Sequence, residues 1–233
     1  MEKANGGIAR IVSMQRYNGG FAFWPQSRNA YTWPSIYALF VLGEAAAHDF
    51  NVPAKVLEKG QRFVADALRR KRDPATGRPL GDVTLSFAAA VLAEQAPERV
   101  DVGRDLAPLF NRREALPLFA RAFLSLAYAA KSGDPSSERS LAALISDLSN
   151  NAVEEASDAH FAEPKSDAFA PFFHSDNRTD AIGLMAYMKA APDDPLVSKV
   201  ARGLMEARVR GRWGNTQENA YALLALSRYA DHY

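Results

Sequence analysis

The chain of 233 residues contains no cysteine. It therefore cannot form a disulfide, a zinc site with thiolate ligands, an iron–sulfur cluster or a cysteine nucleophile. Its charges nearly cancel, with 28 Lys and Arg against 27 Asp and Glu, so it lacks the broad basic surface that non-specific binding to nucleic acids requires. No apolar run approaches the roughly 18 residues of a membrane span. We expect no membrane span, no metal, no cofactor and no nucleic-acid partner.

What the chain does contain is helical periodicity. Five segments place apolar residues on one side and charged residues on the other, which is typical of helices with one solvent-facing side. These segments are 4–14, 55–71, 102–110, 137–148 and 196–209. Five others are apolar nearly all round, which is typical of helices buried among other helices. They are 34–47, 84–93, 117–130, 179–190 and 219–229. The two kinds alternate along the chain.

The buried segments recur with a mean period of roughly 46 residues, which corresponds to one helical hairpin per repeat. Such a repeat can build an open solenoid or a closed double ring with the buried helices inside. Because the second helix of each hairpin is almost fully apolar, the pattern favours the ring. We therefore predict an all-α fold, an α/α toroid of about five hairpins that forms a single domain over residues 1–233. Strand-like segments at 159–161 and 169–173 predict a small β-hairpin near 153–173.

The connections between helices differ at the two ends. Asp134-Pro135 and Asp194-Pro195 predict an N-cap followed by proline at the first helical position, and Ser175 is a further predicted N-cap. Two long loops, 15–33 and 151–176, each precede a buried helix. In a ring of antiparallel hairpins these loops lie at the same end, and elaborated loops commonly carry function. We therefore expect the functional face at the amino ends of the buried helices.

Two motifs are more specific than the periodicity. Residues 14–25 combine a helix end, a Gly-Gly turn and an aromatic run, and residues 213–219 read Trp-x-x-Thr-Gln-Glu-Asn at the start of the last buried segment. Together with Arg178-Thr179-Asp180-Ala181, they resemble the thioester domain of bacterial alpha-2-macroglobulins, relatives of the vertebrate protease inhibitor and of the thioester-containing complement proteins. The resemblance covers essentially the whole chain. It implies an α/α toroid, in agreement with the ring.

The chain departs from this family at its reactive motif. The family closes an internal thioester between the Cys and Gln of a Cys-x-Glu-Gln sequence at the amino end of the first inner helix. Without cysteine, this chain cannot form that bond. Its start resembles the first outer helix of such a domain, so we expect a fragment, with the motif and a sixth inner helix just upstream. A natural variant without a thioester is the alternative.

The resemblance also implies a function for the parent protein. Members of the family are long, exported, multidomain inhibitors of endopeptidases in bacterial defence. Cleavage of a bait region exposes the thioester, which acylates an amine or hydroxyl of the attacking protease. The implied partners are neighbouring domains and target proteases. The implied location is the periplasm, with or without a membrane anchor, or the extracellular space, although the chain begins without the apolar segment of a signal peptide. The chain itself is predicted to be no enzyme, with no catalytic residues.

The candidate site residues follow from position on the expected face. Tyr17, Phe21, Phe23 and Trp24 are candidates for a hydrophobic cover over the thioester, or for a loop that simply packs its own aromatic rings. His174 and Gln217 are polar candidates on the same face. His174 is interpreted either as an acyl acceptor or as a structural residue near a helix cap.

Other polar residues of the expected face have structural interpretations. Gln217 and Asn219 are expected to bond backbone groups of the neighbouring loop. Residues 73–82, a candidate counterpart of the loop that carries an acyl-accepting histidine in complement proteins, contain no His. The resemblance therefore implies transfer to amines. Glu154, Glu155 and Glu163 lie in a polar loop and are predicted to be solvated.

Two other function classes remain open at this point. A toroid lyase or glycosidase would require two facing carboxylates in the mouth of the ring. A helical-repeat interaction scaffold would require an open, concave arrangement of hairpins.

Overall fold

The computed structural model describes residues 2–131, 133–163 and 175–233. These residues form ten α-helices, one 3₁₀ helix and one two-stranded antiparallel sheet. They divide into two compact units, the first ending at Leu109 and the second running from Phe110 to Tyr233. The ten helices correspond one to one to the ten helical segments that the periodicity predicts. None of the described helices is long and apolar enough to cross a membrane.

The first unit is built from the first five helices. They are α1 (Glu2–Ser13), α2 (Thr32–Ala47), α3 (Ala54–Arg70), α4 (Asp82–Gln95) and α5 (Gly103–Phe110). Helix α2 packs against α3 and α4. Every residue of α4 from Val83 to Ala93 is buried, as expected for a helix surrounded by others.

The second unit contains the other five helices and the sheet. After a 3₁₀ turn (Arg113–Ala115) come α6 (Leu118–Ala129), α7 (Pro135–Ser149), β1 (Ala152–Glu154), β2 (Ala159–Phe161), α8 (Asp176–Ala190), α9 (Pro195–Glu206) and α10 (Thr216–His232). Helix α8 packs against both α6 and α10, and it is buried without interruption from Arg178 to Tyr187. It is the central helix of this unit.

The predicted burial holds for three of the five apolar helices. Helices α4, α6 and α8 are buried nearly all round, whereas α2 and α10 are buried on one side only. Val41 in α2 is 42% exposed and Leu223 in α10 is 60% exposed. The prediction of all-round burial is wrong for these two helices, because the described residues of their own units cover only one of their sides.

The predicted helix caps are confirmed. The Asp134 carboxylate accepts a hydrogen bond from the Ser137 amide (3.0 Å), and the Asp194 carboxylate accepts one from the Leu196 amide (2.9 Å). The hydroxyl oxygen of Ser175 accepts one from the Arg178 amide (3.1 Å). Each cap satisfies a backbone N–H group that has no partner within its own helix.

The β-hairpin contains one predicted strand and one that was not predicted. Strand β2 forms at 159–161 as expected, but it pairs with Ala152–Glu154, Val153 lying opposite His160. The other predicted strand, 169–173, lies outside the described residues. Two glycines let β2 approach its helices closely. A Cβ atom on Gly203 would lie 2.4 Å from the Ala159 carbonyl oxygen, and one on Gly183 would lie 2.5 Å from the Phe161 ring.

We predict that Gly203→Ala destabilises the protein by about 1–3 kcal/mol, because the new methyl group would force β2 away from α9. The matched control is Gly7→Ala in α1, where a Cβ atom meets no other atom within 4 Å. It should be stabilising by about 0.5–1 kcal/mol, since alanine favours helix. Urea unfolding measures both, and equal stability of the two variants would contradict the close approach.

Candidate functional site at the amino ends of the buried helices

One buried carboxylate joins the amino ends of α6 and α8. The Glu163 carboxylate accepts hydrogen bonds from the Leu118 amide (2.8 Å), the Phe119 amide (3.1 Å) and the Thr179 hydroxyl (3.0 Å). Glu163 is only 8% exposed, so the prediction that it is solvated is wrong. The helix amides and the hydroxyl replace the water that a loop carboxylate would otherwise bind. Glu154 and Glu155 are exposed, as predicted.

A buried arginine extends this arrangement to α10. Arg178, which is 4% exposed, places its guanidinium carbon 4.4 Å from the centre of the Phe119 ring. Its Nη1 donates to the Gln217 side-chain oxygen at 3.1 Å. Gln217 therefore lies at the predicted face, but its partner is the arginine side chain instead of a loop backbone group. Since Phe119, Arg178 and Gln217 belong to α6, α8 and α10, all three amino ends lie together.

The Trp-x-x-Thr-Gln-Glu-Asn motif is tied to neighbouring helices. Trp213 is 4% exposed and its indole N–H donates to the Leu204 carbonyl at 2.8 Å. Asn215 caps α10 by accepting from the Glu218 amide (3.0 Å), while the Glu218 carboxylate accepts from the Gly214 amide (2.9 Å), an arrangement similar to a capping box but shifted by one residue. The Asn219 side chain donates to the Trp213 carbonyl at 2.9 Å, which confirms its predicted bond to loop backbone.

The long loop of the first unit is fixed by backbone contacts. The Gln15 side chain donates to the Gly19 carbonyl (2.9 Å) and the Val56 carbonyl (2.8 Å), and the Arg16 guanidinium donates to the carbonyls of Trp24 and Pro25. Gly19 has a φ of +90°, and a Cβ atom there would lie 2.3 Å from the carbonyl oxygen of Lys59. Only glycine fits this position, so the Gly-Gly turn holds the loop against α3.

The four candidate cover residues have different surroundings. Phe21 is 1% exposed and belongs to the core of the first unit. Tyr17, Phe23 and Trp24 are 94%, 52% and 70% exposed. The interpretation of a loop that packs its own rings applies to Phe21, and in part to Phe23, whose ring lies 5.3 Å from that of Tyr31. The role of these residues as a thioester cover stays a prediction. His174 lies outside the described residues.

The loop at 73–82 serves the amino end of α2. Asp73 accepts a hydrogen bond from the Thr32 amide at 2.8 Å and others from Ala75 and Thr76. Burial alone would raise the pKa of Asp73, but the hydrogen bonds from Thr32 and Thr76 outweigh it and lower the pKa below its usual value. This carboxylate is therefore a cap, positioned like Glu163 in the second unit.

A small acidic pocket lies beside the amino end of α8. It encloses about 260 Å³ and its lining includes Asp158, His160, Asp176 and Asp180. The Asp180 carboxyl accepts a hydrogen bond from the Phe161 amide at 2.6 Å. Burial and, to a smaller extent, the nearby charge of Asp176 together raise the pKa of Asp180 to about 8, against the lowering effect of this amide. Asp180 therefore holds β2 on α8, and its raised pKa favours the neutral acid.

This acidic pocket is small for a ligand site. Ligand pockets commonly enclose about 300–1,000 Å³, which is more than this one holds. Within residues 2–131, 133–163 and 175–233, no group of three or more His, Asp or Glu side chains is arranged to bind a metal. The Glu163 carboxylate already accepts hydrogen bonds from amides of α6, and the Glu218 carboxylate accepts one from the Gly214 amide.

Comparison with known proteins identifies the relatives of this chain. No protein-family model matches it. Over 97 residues it is 33% identical to the alpha-2-macroglobulin of Escherichia coli K12, a match that covers 38% of the chain and 6% of the relative. The chain is homologous to part of a bacterial alpha-2-macroglobulin. The resemblance to bacterial alpha-2-macroglobulins is therefore confirmed, and the assignment to their thioester domain stays a prediction.

Solved structures show the same fold in these relatives. Native E. coli alpha-2-macroglobulin from domain MG7 to the C-terminus matches 96% of the chain and 33% of its own length, with a TM-score of 0.67 and 20% identity. E. coli alpha-2-macroglobulin activated by porcine elastase matches 97% of the chain and 19% of its own length, with a TM-score of 0.71 and 22% identity. The chain thus spans a third or less of these relatives.

The homology also bears on the function class. The homology to alpha-2-macroglobulin agrees with the prediction that the chain is no enzyme. Sequence reasoning missed the parts played by Glu163, Arg178 and Asp180. Arg178 and Asp180 belong to the segment Arg178-Thr179-Asp180-Ala181, which helps to carry the resemblance. That membership could have indicated that both side chains matter. Glu163 carried no such signal.

We predict that Glu163→Ala destabilises the protein by about 1–3 kcal/mol for each amide of α6 left without an acceptor. Glu163→Gln should cost less, because its remaining carbonyl oxygen still accepts one bond. The control is Glu155→Gln at an exposed position, which should leave stability unchanged. Denaturant unfolding compares the three variants. A Glu163→Ala protein as stable as the control would disprove that the hydrogen bonds of buried Glu163 stabilise the fold.

We predict that rising pH weakens the fold through Asp180. Between about pH 4 and pH 8 the unfolded chain releases this proton while the folded chain keeps it, so stability falls by up to about 1.4 kcal/mol per pH unit. Asp180→Asn keeps an acceptor for the Phe161 amide and should remove this part of the slope. Thermal unfolding of both proteins from pH 4 to pH 9 measures the difference, and parallel profiles would contradict the raised pKa.

Proposed function

We propose that this chain is most of the thioester domain of a bacterial alpha-2-macroglobulin, whose parent protein traps or covalently captures attacking proteases. We further propose that residues 1–233 form a single α/α toroid. The observation that carries the proposal is the 33% identity to E. coli alpha-2-macroglobulin over 97 residues. The fold similarity, which extends over 96% of the chain, supports the same assignment for the remaining residues.

The geometry within each unit supports the toroid. Helices α6, α8 and α10 begin side by side, and the Asp73 loop before α4 meets the amino end of α2. Inner helices that run in one direction, with their amino ends together, are what a double ring requires. In this proposal, residues of the parent outside this chain cover the exposed apolar side chains of Val41 and Leu223.

In this proposal the reactive bond of the parent lies outside this chain, because the chain contains no cysteine. A thioester reacts readily because thiolate is a good leaving group, and it must be kept dry until it is needed. The fixed loop of the first unit presents the exposed rings of Tyr17, Phe23 and Trp24. We propose that these rings, held by the contacts of Gln15 and Arg16, supply apolar cover for a thioester of the parent.

The partners and location of the parent follow from the same assignment. We propose that the parent is exported and that its partners are its own neighbouring domains and the proteases that attack it. The loop that would carry an acyl-accepting histidine in complement proteins holds Asp73 as a helix cap instead. This supports transfer of the acyl group to amines.

The parent protein tests this proposal. Trypsin added to it should give protease adducts that survive denaturation, and methylamine beforehand should release one thiol and abolish them. The 233-residue chain alone should take up no methylamine. A parent gene without a Cys-x-Glu-Gln sequence, or a parent that forms no adduct, would refute the proposal.

The aromatic cover has a separate test in the same protein. Replacing Tyr17 and Trp24 together by alanine should speed thiol release by methylamine, because water and amines would reach the thioester more easily. The control is Val153→Ala, an exposed apolar residue of the second unit (43% exposed). An unchanged rate in the double variant would refute the cover while leaving the domain assignment standing.

A further inference from the structure

The turn between α9 and α10 carries three exposed arginines. Arg208, Arg210 and Arg212 alternate along residues 208–212, which we call the arginine turn. The Val209 amide donates to the Arg212 carbonyl at 2.9 Å, and the Arg212 amide donates to the Val209 carbonyl at 3.3 Å. These two backbone hydrogen bonds close a two-residue hairpin. The turn therefore has a defined backbone shape, which fixes the sequence in which its arginines are presented.

Arg210 has an unfavourable backbone conformation. Its φ is +55° and that of Gly211 is +79°, the combination of a primed turn in which Asn-Gly is strongly preferred. A residue with a Cβ atom and no short polar side chain is disfavoured in this left-handed region. Residues held in such conformations cluster at functional sites. The exposed arginine at this position therefore points to a role for its side chain.

The positive charge of the turn is not neutralised locally. Among the described residues, no acidic side chain forms an ion pair with Arg210 or Arg212. The nearby Glu218 carboxylate is 8% exposed and is occupied by the Gly214 amide and the Asn177 side chain. Some other basic side chains of the protein do form ion pairs. Arg70, for example, lies 3.0 Å from Asp66.

A groove beside the turn combines this charge with apolar surface. It encloses about 770 Å³, and its lining includes Val209, Arg210, Arg212 and Thr216. Val209 is 72% exposed. The amino end of α10 contributes further positive partial charge to the same place. The groove therefore suits a ligand with several carboxylates and an apolar side chain.

We propose that the arginine turn docks an acidic polypeptide segment of a partner protein. Arg210 and Arg212 hold its carboxylates, since the guanidinium fork matches a carboxylate with two hydrogen bonds, and Val209 contacts an apolar side chain. Nucleic acid fits less well, because the net charge of +1 gives no extended basic surface. This inference does not depend on the thioester assignment.

The test uses the 233-residue chain and fluorescein-labelled octaglutamate at low salt, with binding measured by fluorescence anisotropy. Arg210→Asn should weaken binding roughly two- to fivefold. It should also raise the Tm by about 2–4 °C, because asparagine is favoured in the left-handed backbone conformation that Arg210 adopts. Arg210→Asn combined with Arg212→Gln should weaken binding roughly tenfold. A loss of binding together with a gain in stability would separate a docking role from a structural one.

The controls are Arg139→Gln, an exposed arginine of α7, and Arg69→Gln combined with Arg70→Gln in α3. Both should leave binding unchanged. The proposal is overturned if either control weakens binding as much as Arg210→Asn, which would indicate general charge attraction. It is also overturned if Arg210→Asn lowers the Tm or leaves binding intact, or if octathymidylate binds more tightly than octaglutamate.

Discussion

A helix that begins inside a protein must find acceptors for backbone N–H groups that have no partner within the helix. Here Asp73 serves α2, Glu163 serves α6, Ser175 serves α8 and Asn215 serves α10. Two of these caps come from distant parts of the chain, since 41 residues separate Thr32 from Asp73 and 45 separate Leu118 from Glu163. They are therefore tertiary contacts as well as caps, and they fix the positions of successive hairpins within each unit.

The sequence predicts whatever is decided locally. Apolar periodicity defines the ten helices, and Asp-Pro pairs define two of the helix starts, because these signals act within a few residues. The place of Glu163 could not be predicted, since its partners are amides more than 40 residues away and a capping glutamate looks like a solvated one in sequence. The partner of β2 was missed for a similar reason, because Ala152–Glu154 has no strand-like pattern of its own.

The motifs that reveal the homology are largely architectural. Trp213, Glu218 and Asn219 tie the start of α10 to its surroundings, and the Gly-Gly turn lets the first long loop approach α3. The sequence could place the aromatic run on that loop, but it could not separate the buried Phe21 from the exposed Tyr17 and Trp24. The burial of each ring depends on which side of the loop faces the core, and a loop has no periodic apolar pattern from which this could be predicted.

The buried contacts at the amino ends of α6, α8 and α10 also affect where these helices begin to unfold. Helix ends normally fray, and their amide protons exchange with solvent quickly. In this protein the amides of Leu118 and Phe119 are bound to a buried carboxylate, and Arg178 lies against Phe119. We expect their protons to exchange only when these contacts open together. At the other end of α10, residues 231–233 are exposed. We therefore expect local unfolding of α10 to start at its carboxyl end, while its amino end keeps its shape.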